Sequence, residues 1–463
     1  MHCIKNMKYL TLFTLMATTA CMVANAAKPQ KYNRSADPHA FTVFMKDGGW
    51  CWYQDPRVIA HDGKLFIGSV KGNDSGPALV GIYNLDQKKP IGTVLMQDNF
   101  DKDDHNSPVF HVRPDGSVLS VYAKHGRDVY HYYRISDPVD PMKWSEEYKH
   151  ALVSSDPKDH VTYMNLMELK DEGKLYNFYR GINYNPTFET STDSGKTWSD
   201  AVHFVQSEVG KRARPYARYV GNGIDTIHVS TTDAHPRNYG NSIYYFEFRD
   251  GKFFKADGTF IKDLKDGPVL PSQTEVVYHG TGPKGPKSPE AKAAKGKGGA
   301  DSADGAAWTS SIMLDAEGHP HIGYTLYISR YDHRYRIASW DGTQWLDREV
   351  AFGGNNLHSG ETSYTGLITI DPVDPTAVYI ATDVNPTTGE DLDTQHEIYR
   401  AKIGLADDVS SIQWEAVTQN SPVMNIRPVI VRHGDKRIVL WNRGEFDGFK
   451  NYDLDTVGFV ERK

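Results

Sequence analysis

Two pairs of residues in this chain have the types and spacing of an acid–base site. His105 opens onto Asn106-Ser-Pro-Val-Phe and His125 follows Val121-Tyr-Ala-Lys, so the two imidazoles stand at the two feet of one hairpin. Tyr163, in His160-Val-Thr-Tyr-Met-Asn-Leu, and Arg180, in Asn177-Phe-Tyr-Arg-Gly, stand the same way in the next hairpin. Brought together, two imidazoles, a phenol and a guanidinium suit β-elimination on a polysaccharide that contains uronic acid. The proton α to a uronate carboxylate is hard to remove while the carboxylate keeps its charge, so an arginine fork must neutralise it and stabilise the enolate. A histidine or tyrosine then takes the proton, and a second such group protonates the leaving glycosidic oxygen. A phenol can be the base only if nearby cations lower its pKa, and Arg180 is the cation placed to do so. No metal or other cofactor is required in this scheme.

Hairpins able to hold such residues recur along the chain. A turn signal followed by a short apolar or alternating strand appears seven times, at Asp62-Gly63, Asp115-Gly116, Glu172-Gly173, Asn222-Gly223, Glu317-Gly318, Asp374-Pro375 and Gly434-Asp435. No long stretch keeps a helical period, so the chain reads as all-β. The steps between turns are 50 to 59 residues, the length of a four-stranded blade with loops, except for one step of 95. That step contains a Lys- and Gly-rich stretch at about residues 281–305, which has little to bury and is expected to be a solvated loop. Seven units with one insertion predict a seven-bladed β-propeller over residues 27–463, in preference to a two-domain sandwich. The strand-like Ala40-Phe-Thr-Val-Phe-Met45 is expected to close the ring beside Thr456-Val-Gly-Phe-Val460.

If each turn joins the two middle strands of a blade, the far ends of those strands share one face of the disc. That selects Gln54, Asp55, His105, Asn106, Tyr163, Arg214, Tyr216 and Tyr364 on the way in, and Lys71, His125, Arg180, Asp233, His235, Asp383 and Arg443 on the way out. Polar groups that repeatedly end apolar strands at a common face are what a substrate-binding surface needs.

Other features bound the function. Residues 1–26 carry two lysines, an apolar run and the small-x-small pattern Ala24-Asn-Ala26, the marks of a secretory signal peptide and of a secreted or periplasmic protein. Its removal takes Cys3 and Cys21 and leaves Cys51 with no partner for an intramolecular disulfide. A net charge of -7 without a basic cluster outside the Lys-rich loop argues against nucleic acid, and no later apolar run is long enough to insert in a membrane. The 27 Tyr and 9 Trp suit a monomer that stacks on sugars. Ser191 to Trp198 form a complete Asp-box, S-x-D-x-G-x-T-W, whose expected role is to staple a blade. Metal ligation is weakly signalled: Cys51, His235 and His358 could hold a structural zinc or calcium ion, while a buried Cys51 between Trp50 and Trp52 is the simpler expectation. A sialidase-like glycoside hydrolase, drawing three arginines from Arg57, Arg180, Arg214, Arg237 and Arg443, is one alternative. A glycan-binding propeller without catalysis is the other.

Several strings carry a family resemblance: Gly48-Gly-Trp-Cys-Trp-Tyr-Gln-Asp-Pro-Arg57, Tyr179-Arg-Gly181, Arg214-Pro-Tyr216, Thr232-Asp-Ala-His-Pro-Arg237 and Ser363-Tyr-Thr-Gly-Leu-Ile-Thr-Ile-Asp-Pro372. In this order they resemble the BNR-repeat propellers that include the ulvan lyases, over nearly all of the chain after the signal peptide. The spacing of His105 and His125 is more similar to polysaccharide lyase family 25 than to family 24. The resemblance implies a seven-bladed propeller that cleaves an anionic sulfated polysaccharide, ulvan, between sulfated rhamnose and glucuronic or iduronic acid. It implies Tyr163 and His105 as acid and base, His125 assisting, and Arg180 neutralising the carboxylate. Tyr219, or in its place Tyr216, would be a further sugar contact, and Asn106, Arg214 and His235 complete the expected binding set.

Overall fold

Seven antiparallel sheets follow one another along the chain in a computed structural model that describes residues 41–72, 75–282 and 305–462. The first strands of neighbouring sheets touch one another, including Val58–His61 with Met424–His433, so these strands ring a common axis. The architecture is the expected seven-bladed propeller, and no α-helix occurs among the described residues. None of its helical turns is long and apolar enough to cross a membrane. The signal peptide lies outside the described residues, and so does all of the Lys- and Gly-rich stretch except its ends.

The repeated turns join the first and second strands of each blade, not the middle two. Asp62-Gly63, for example, links Val58–His61 to Lys64–Val70. The inference about the face survives this correction, because the other ends of those two strands still emerge together. In the second blade the pair is Val109–Val112 with Val118–Ala123, and in the third it is Thr162–Leu169 with Lys174–Arg180.

Ring closure follows the sequence expectation. Thr42–Gly48 is the outer strand of the last blade, pairing with Asn451–Arg462 in the register Thr42 to Gly458 and Val43 to Val457. The long step is also explained. The fourth blade carries an extra hairpin, Lys252–Phe254 with Phe260–Asp263, and a returning strand, Glu275–Tyr278, that pairs with Ile243–Arg249.

The blades are held by apolar layers between them. Phe178, Phe188, Phe204, Phe246, Phe248 and Phe253 fill the space between the third and fourth, each nearly or fully buried. Burying one such ring stabilises the fold by about 2 to 3 kcal/mol. At the far end of the third blade the Asp-box works as a staple. Asp193 accepts from the Lys196 and Thr197 amides at 3.0 and 2.9 Å, and Gly195 takes φ 87°. Trp198 packs edge-on against His131 of the second blade.

Candidate functional site

Local backbone geometry explains why four distant residues meet. His105 lies in a short 3-10 turn, Asp104–Asn106, capped by Asp103, whose carboxylate accepts the His105 amide at 3.1 Å. In the third blade Thr162 pairs with Arg180 and Asn165 with Phe178, leaving a bulge at Tyr163, which takes φ 67°. Bulges beside active sites re-aim a side chain, and a non-glycine residue at positive φ is strain that surrounding contacts must hold. Here the bulge sets Tyr163 beside Arg180, whose guanidinium carbon lies 4.9 Å from the ring centroid. The imidazoles of His105 and His125 stack with centroids 4.0 Å apart, and Tyr163 lies 5.4 Å from the first and 5.9 Å from the second.

One carboxylate serves both histidines. Asp103 Oδ1 is 2.6 Å from His105 Nδ1, and Oδ2 is 3.0 Å from His125 Nδ1. An ionised carboxylate only accepts, so each Nδ1 carries a proton. The two rings differ in what remains. His105 is buried, with an oxygen of Asp104 2.8 Å from Nδ1 and Tyr364 Oη 3.0 Å from Nε2. The His125 side chain is 23% exposed and its Nε2 has no hydrogen-bond partner among the described residues.

The protonation states diverge accordingly. Burial, then the neighbouring His105, lower the His125 pKa to about 4 despite Asp103, so this imidazole is neutral at pH 7. Burial also opposes charge on His105, but the thiol of Cys51, the phenols of Tyr163 and Tyr364 and the Asp103 carboxylate together hold it well above the ordinary value. Asp103, though buried, is held far below the usual carboxylate range by the two imidazoles. Burial raises the Tyr163 phenol well above its ordinary value, and the opposing pull of His105 and Arg180 does not reverse that. The expectation that Arg180 makes this phenol a base is therefore not met: desolvation outweighs the cation.

A second group lies toward the fourth and sixth blades. Glu361, buried, has its Oε2 3.0 Å from Arg237 Nη1 and 3.5 Å from His235 Nε2. Burial keeps its carboxyl above the usual range although Arg237 and Arg214 lower it. His235 reaches the first group through aromatic contacts, its ring 5.5 Å from Tyr216, which is 6.0 Å from Tyr163. Tyr163, Arg180 and Tyr216 line one depression with Tyr53 and Asn165.

Beneath them the segment from Trp50 to Tyr53 crosses the axis. Its carbonyls are fixed by buried arginines from three blades: Arg427 donates to Trp50, Arg57 to Cys51 and Arg218 to Trp52. Trp52 and Tyr53 so held pack against Trp308, Tyr216 and Tyr364. From the seventh blade the turn at Phe449 and Lys450 reaches across to the histidines. The Phe449 ring stands edge-on, 5.2 Å from His105, and Lys450 Nζ is 3.7 Å from Asp103 Oδ2.

Of the residues expected from sequence, His105, His125, Tyr163, Arg180 and Tyr216 are brought together, and His235 adjoins them. Arg214, half-exposed, is among the charges that act on His235. Asn106 is not a surface contact: it is fully buried and its amide donates to the carbonyls of Phe100 and Asp101, which shapes the loop. Tyr219 is also misplaced by the sequence argument, since its ring stacks 4.5 Å from Phe178 in the apolar layer between blades. Arg57 and Arg443 are buried in structural hydrogen bonds, so the five arginines of the sialidase alternative do not converge. Cys51 is buried as expected. The trio Cys51, His235 and His358 does not form. Among the described residues the groups close enough to share an ion are Cys51 with Asp104 and His105, and Asp103 with His105 and His125.

Sequence reasoning missed Asp103, Asp104, Glu361, Phe449 and Lys450. Asp103 had a legible signal, an acidic residue two positions before His105. Glu361, Phe449 and Lys450 had none, because they arrive from blades remote in sequence.

The sequence model of the BNR repeat-containing family matches residues 51–352. No curated protein matches the chain. Among solved structures it is similar to a PL25 polysaccharide lyase, an ulvan lyase, bound to -[GlcA(1-4)Rha3S]-. That likeness has a TM-score of 0.61 and 16% identity, over 90% of this chain and 94% of the other. It is also similar to the polysaccharide lyase Uly1, with a TM-score of 0.52 and 12% identity over 90% and 92%. At these identities the likeness is one of fold.

Proposed function

The chain belongs to the BNR repeat-containing family, and from that premise we propose that it is a secreted polysaccharide lyase that cleaves ulvan by β-elimination at the uronic acid. The observation that carries this reading is the pairing of a neutral, accessible His125 with a protonated Tyr163 beside Arg180. The ulvan lyase with a similar fold supports the choice of polymer.

Arg180 takes the uronate carboxylate as a two-pronged ion pair, which acidifies the α proton and holds the enolate as it forms. His125, its Nδ1–H donated to Asp103, offers the Nε2 lone pair and takes that proton. The electrons left on carbon form the C4–C5 double bond as the C4–O bond breaks, and the Tyr163 hydroxyl supplies the proton that the leaving oxygen needs. The imidazolium then returns the balance through solvent. The family resemblance gives His105 the proton-transfer role, but its two ring nitrogens are already engaged, so we assign it to positioning and give the base to His125.

Incubation with ulvan, following the ultraviolet absorbance of the conjugated double bond, tests the reading. New reducing ends without that absorbance would mean hydrolysis, and binding without either would mean a glycan-binding module.

A further inference from the structure

The candidate site has two cationic groups with different surroundings. Arg180 is buried against the rings of Tyr163 and Tyr216. Arg214 is half-exposed and has no hydrogen-bond or ion-pair partner among the described residues. It takes φ 63° immediately before Pro215, a position where the proline disfavours such a backbone. Strain of this kind persists where surrounding structure holds it, and it clusters at ligand sites. The holding contacts are visible: the His235 amide donates to the Ala213 carbonyl at 3.0 Å, and the Tyr216 amide donates to Thr232 Oγ1 at 3.0 Å. Arg237, 32% exposed at its side chain, stands beside this loop with Nη1 on Glu361, and its own amide donates to His235 Nδ1 at 3.2 Å. Glu361 offsets one of the two guanidinium charges, and His235 is neutral because burial, then Arg214, lower its pKa. One positive charge therefore remains open to solvent.

Resting on the lyase reading, we infer that Arg214, backed by Arg237, is a subsite for the sulfate ester on the sugar next to the uronate. Each repeat of such a polymer carries two anions. The carboxylate must lie where its α proton is removed, which assigns it to Arg180. The sulfate ester belongs to the neighbouring sugar, and Arg214 is the free cation beside the depression. A sulfate ester stays ionised throughout and takes no part in bond breaking, so its partner binds ground state and transition state alike and acts on affinity. Arginine suits the role because its planar fork meets two sulfate oxygens at once.

The test measures equilibrium binding of the full chain to ulvan and to the same polymer after chemical desulfation, in a Tyr163→Phe background that leaves the polymer intact. We expect desulfation to weaken binding about tenfold, Arg214→Ala to weaken binding of the sulfated polymer by a similar factor, and that variant to treat the two polymers alike. Arg214→Lys should keep part of the preference, and thermal melting checks that each variant is folded. Equal binding of both polymers by the parent protein, or an undiminished preference in Arg214→Ala, would overturn the subsite. The lyase reading fails separately, if the wild-type chain binds through Arg214 yet releases no unsaturated product.

Discussion

The imidazoles of His105 and His125 stack 4.0 Å apart across one carboxylate, Asp103, yet they hold different protonation states. Two like-charged rings at this distance would repel strongly in a buried setting, so one proton is shared out unequally. His105, the more enclosed ring, faces a second carboxylate in Asp104 and keeps the charge. His125, which has only Asp103, gives it up. The arrangement yields a neutral imidazole of fixed tautomer with its free nitrogen toward the depression, the state a general base must be in before substrate arrives.

The pH profile follows. With the His125 pKa at about 4, the base is ready above that value and is lost as pH falls through it. The acid limb of kcat/KM, which reports the free enzyme, should therefore lie near pH 4 to 5 and not near the ordinary histidine value of about 6.5. His125→Ala should cost about 10²- to 10⁴-fold in kcat. An acid limb centred near 6.5 would show that His125 is charged in the resting protein and that the two rings have exchanged roles.

Arg180 and Tyr163 should fail in different ways. Arg180→Ala removes stabilisation of the enolate and should lower kcat about 10²- to 10³-fold, with little recovery in Arg180→Lys because a single ammonium cannot match the fork. Tyr163→Phe keeps the ring against Arg180 and removes only the proton, so kcat should fall while substrate affinity stays close to the parent's. A Tyr163→Phe variant at full rate would exclude the phenol as the acid.

The blades and half of the site were legible in the sequence for a common reason: turn chemistry is local. Asp-Gly, Asn-Gly and Glu-Gly steps mark where strands reverse, and the residues at the other ends of those strands share a face. Tyr219 shows where this stops. A bulge such as that at Tyr163 resets the alternation of inward and outward residues, so counting along a strand cannot say which tyrosine of Tyr216 and Tyr219 faces the depression. The contact between Tyr364 and His105 spans 259 residues, and that of Phe449 with His105 depends on the last blade lying beside the first. Only ring closure makes such contacts, and closure leaves no pattern in the neighbouring sequence.

Away from the site, Glu189 gives a test of buried protonation. It is fully buried between the second and third blades, with Tyr179 donating to it and His131 Nδ1 3.3 Å from its other oxygen. Burial raises the Glu189 pKa to about 8 and lowers that of His131 to about 3, so both are neutral and their contact is not an ion pair. The folded protein holds a proton on Glu189 that the unfolded chain releases near pH 4.5. Its contribution is full below that value and is lost as pH rises toward 8. Glu189→Gln, which imitates the neutral acid, should remove this loss. Denaturant melts at pH 5 and pH 8 should show the wild type weakening relative to the variant by on the order of 3 kcal/mol. Parallel curves would mean that Glu189 is ionised in the fold.

Asp193 separates stapling from catalysis. Besides the two amides, its carboxylate accepts from Thr197 Oγ1 at 2.7 Å and Ser191 Oγ at 2.8 Å, and these bonds hold the turn that carries Trp198 into the layer against the second blade. Asp193→Ala leaves the Lys196 and Thr197 amides to water and should cost about 1 to 2 kcal/mol, read as a lower melting temperature. The turn follows the third strand of its blade, Pro186–Ser191, at the end opposite Arg180, so kcat and KM should stay at wild-type values. Acid removes the difference in a defined direction. Burial slightly opposes the charge, but the bonds from Thr197, Ser191 and Lys196 lower the Asp193 pKa to about 2. The staple is thus at full strength above about pH 4 and is lost as pH falls through 2, where wild type and variant should converge. A drop in kcat at unchanged stability would place Asp193 in the catalytic machinery and undo the division between the two ends of the blade.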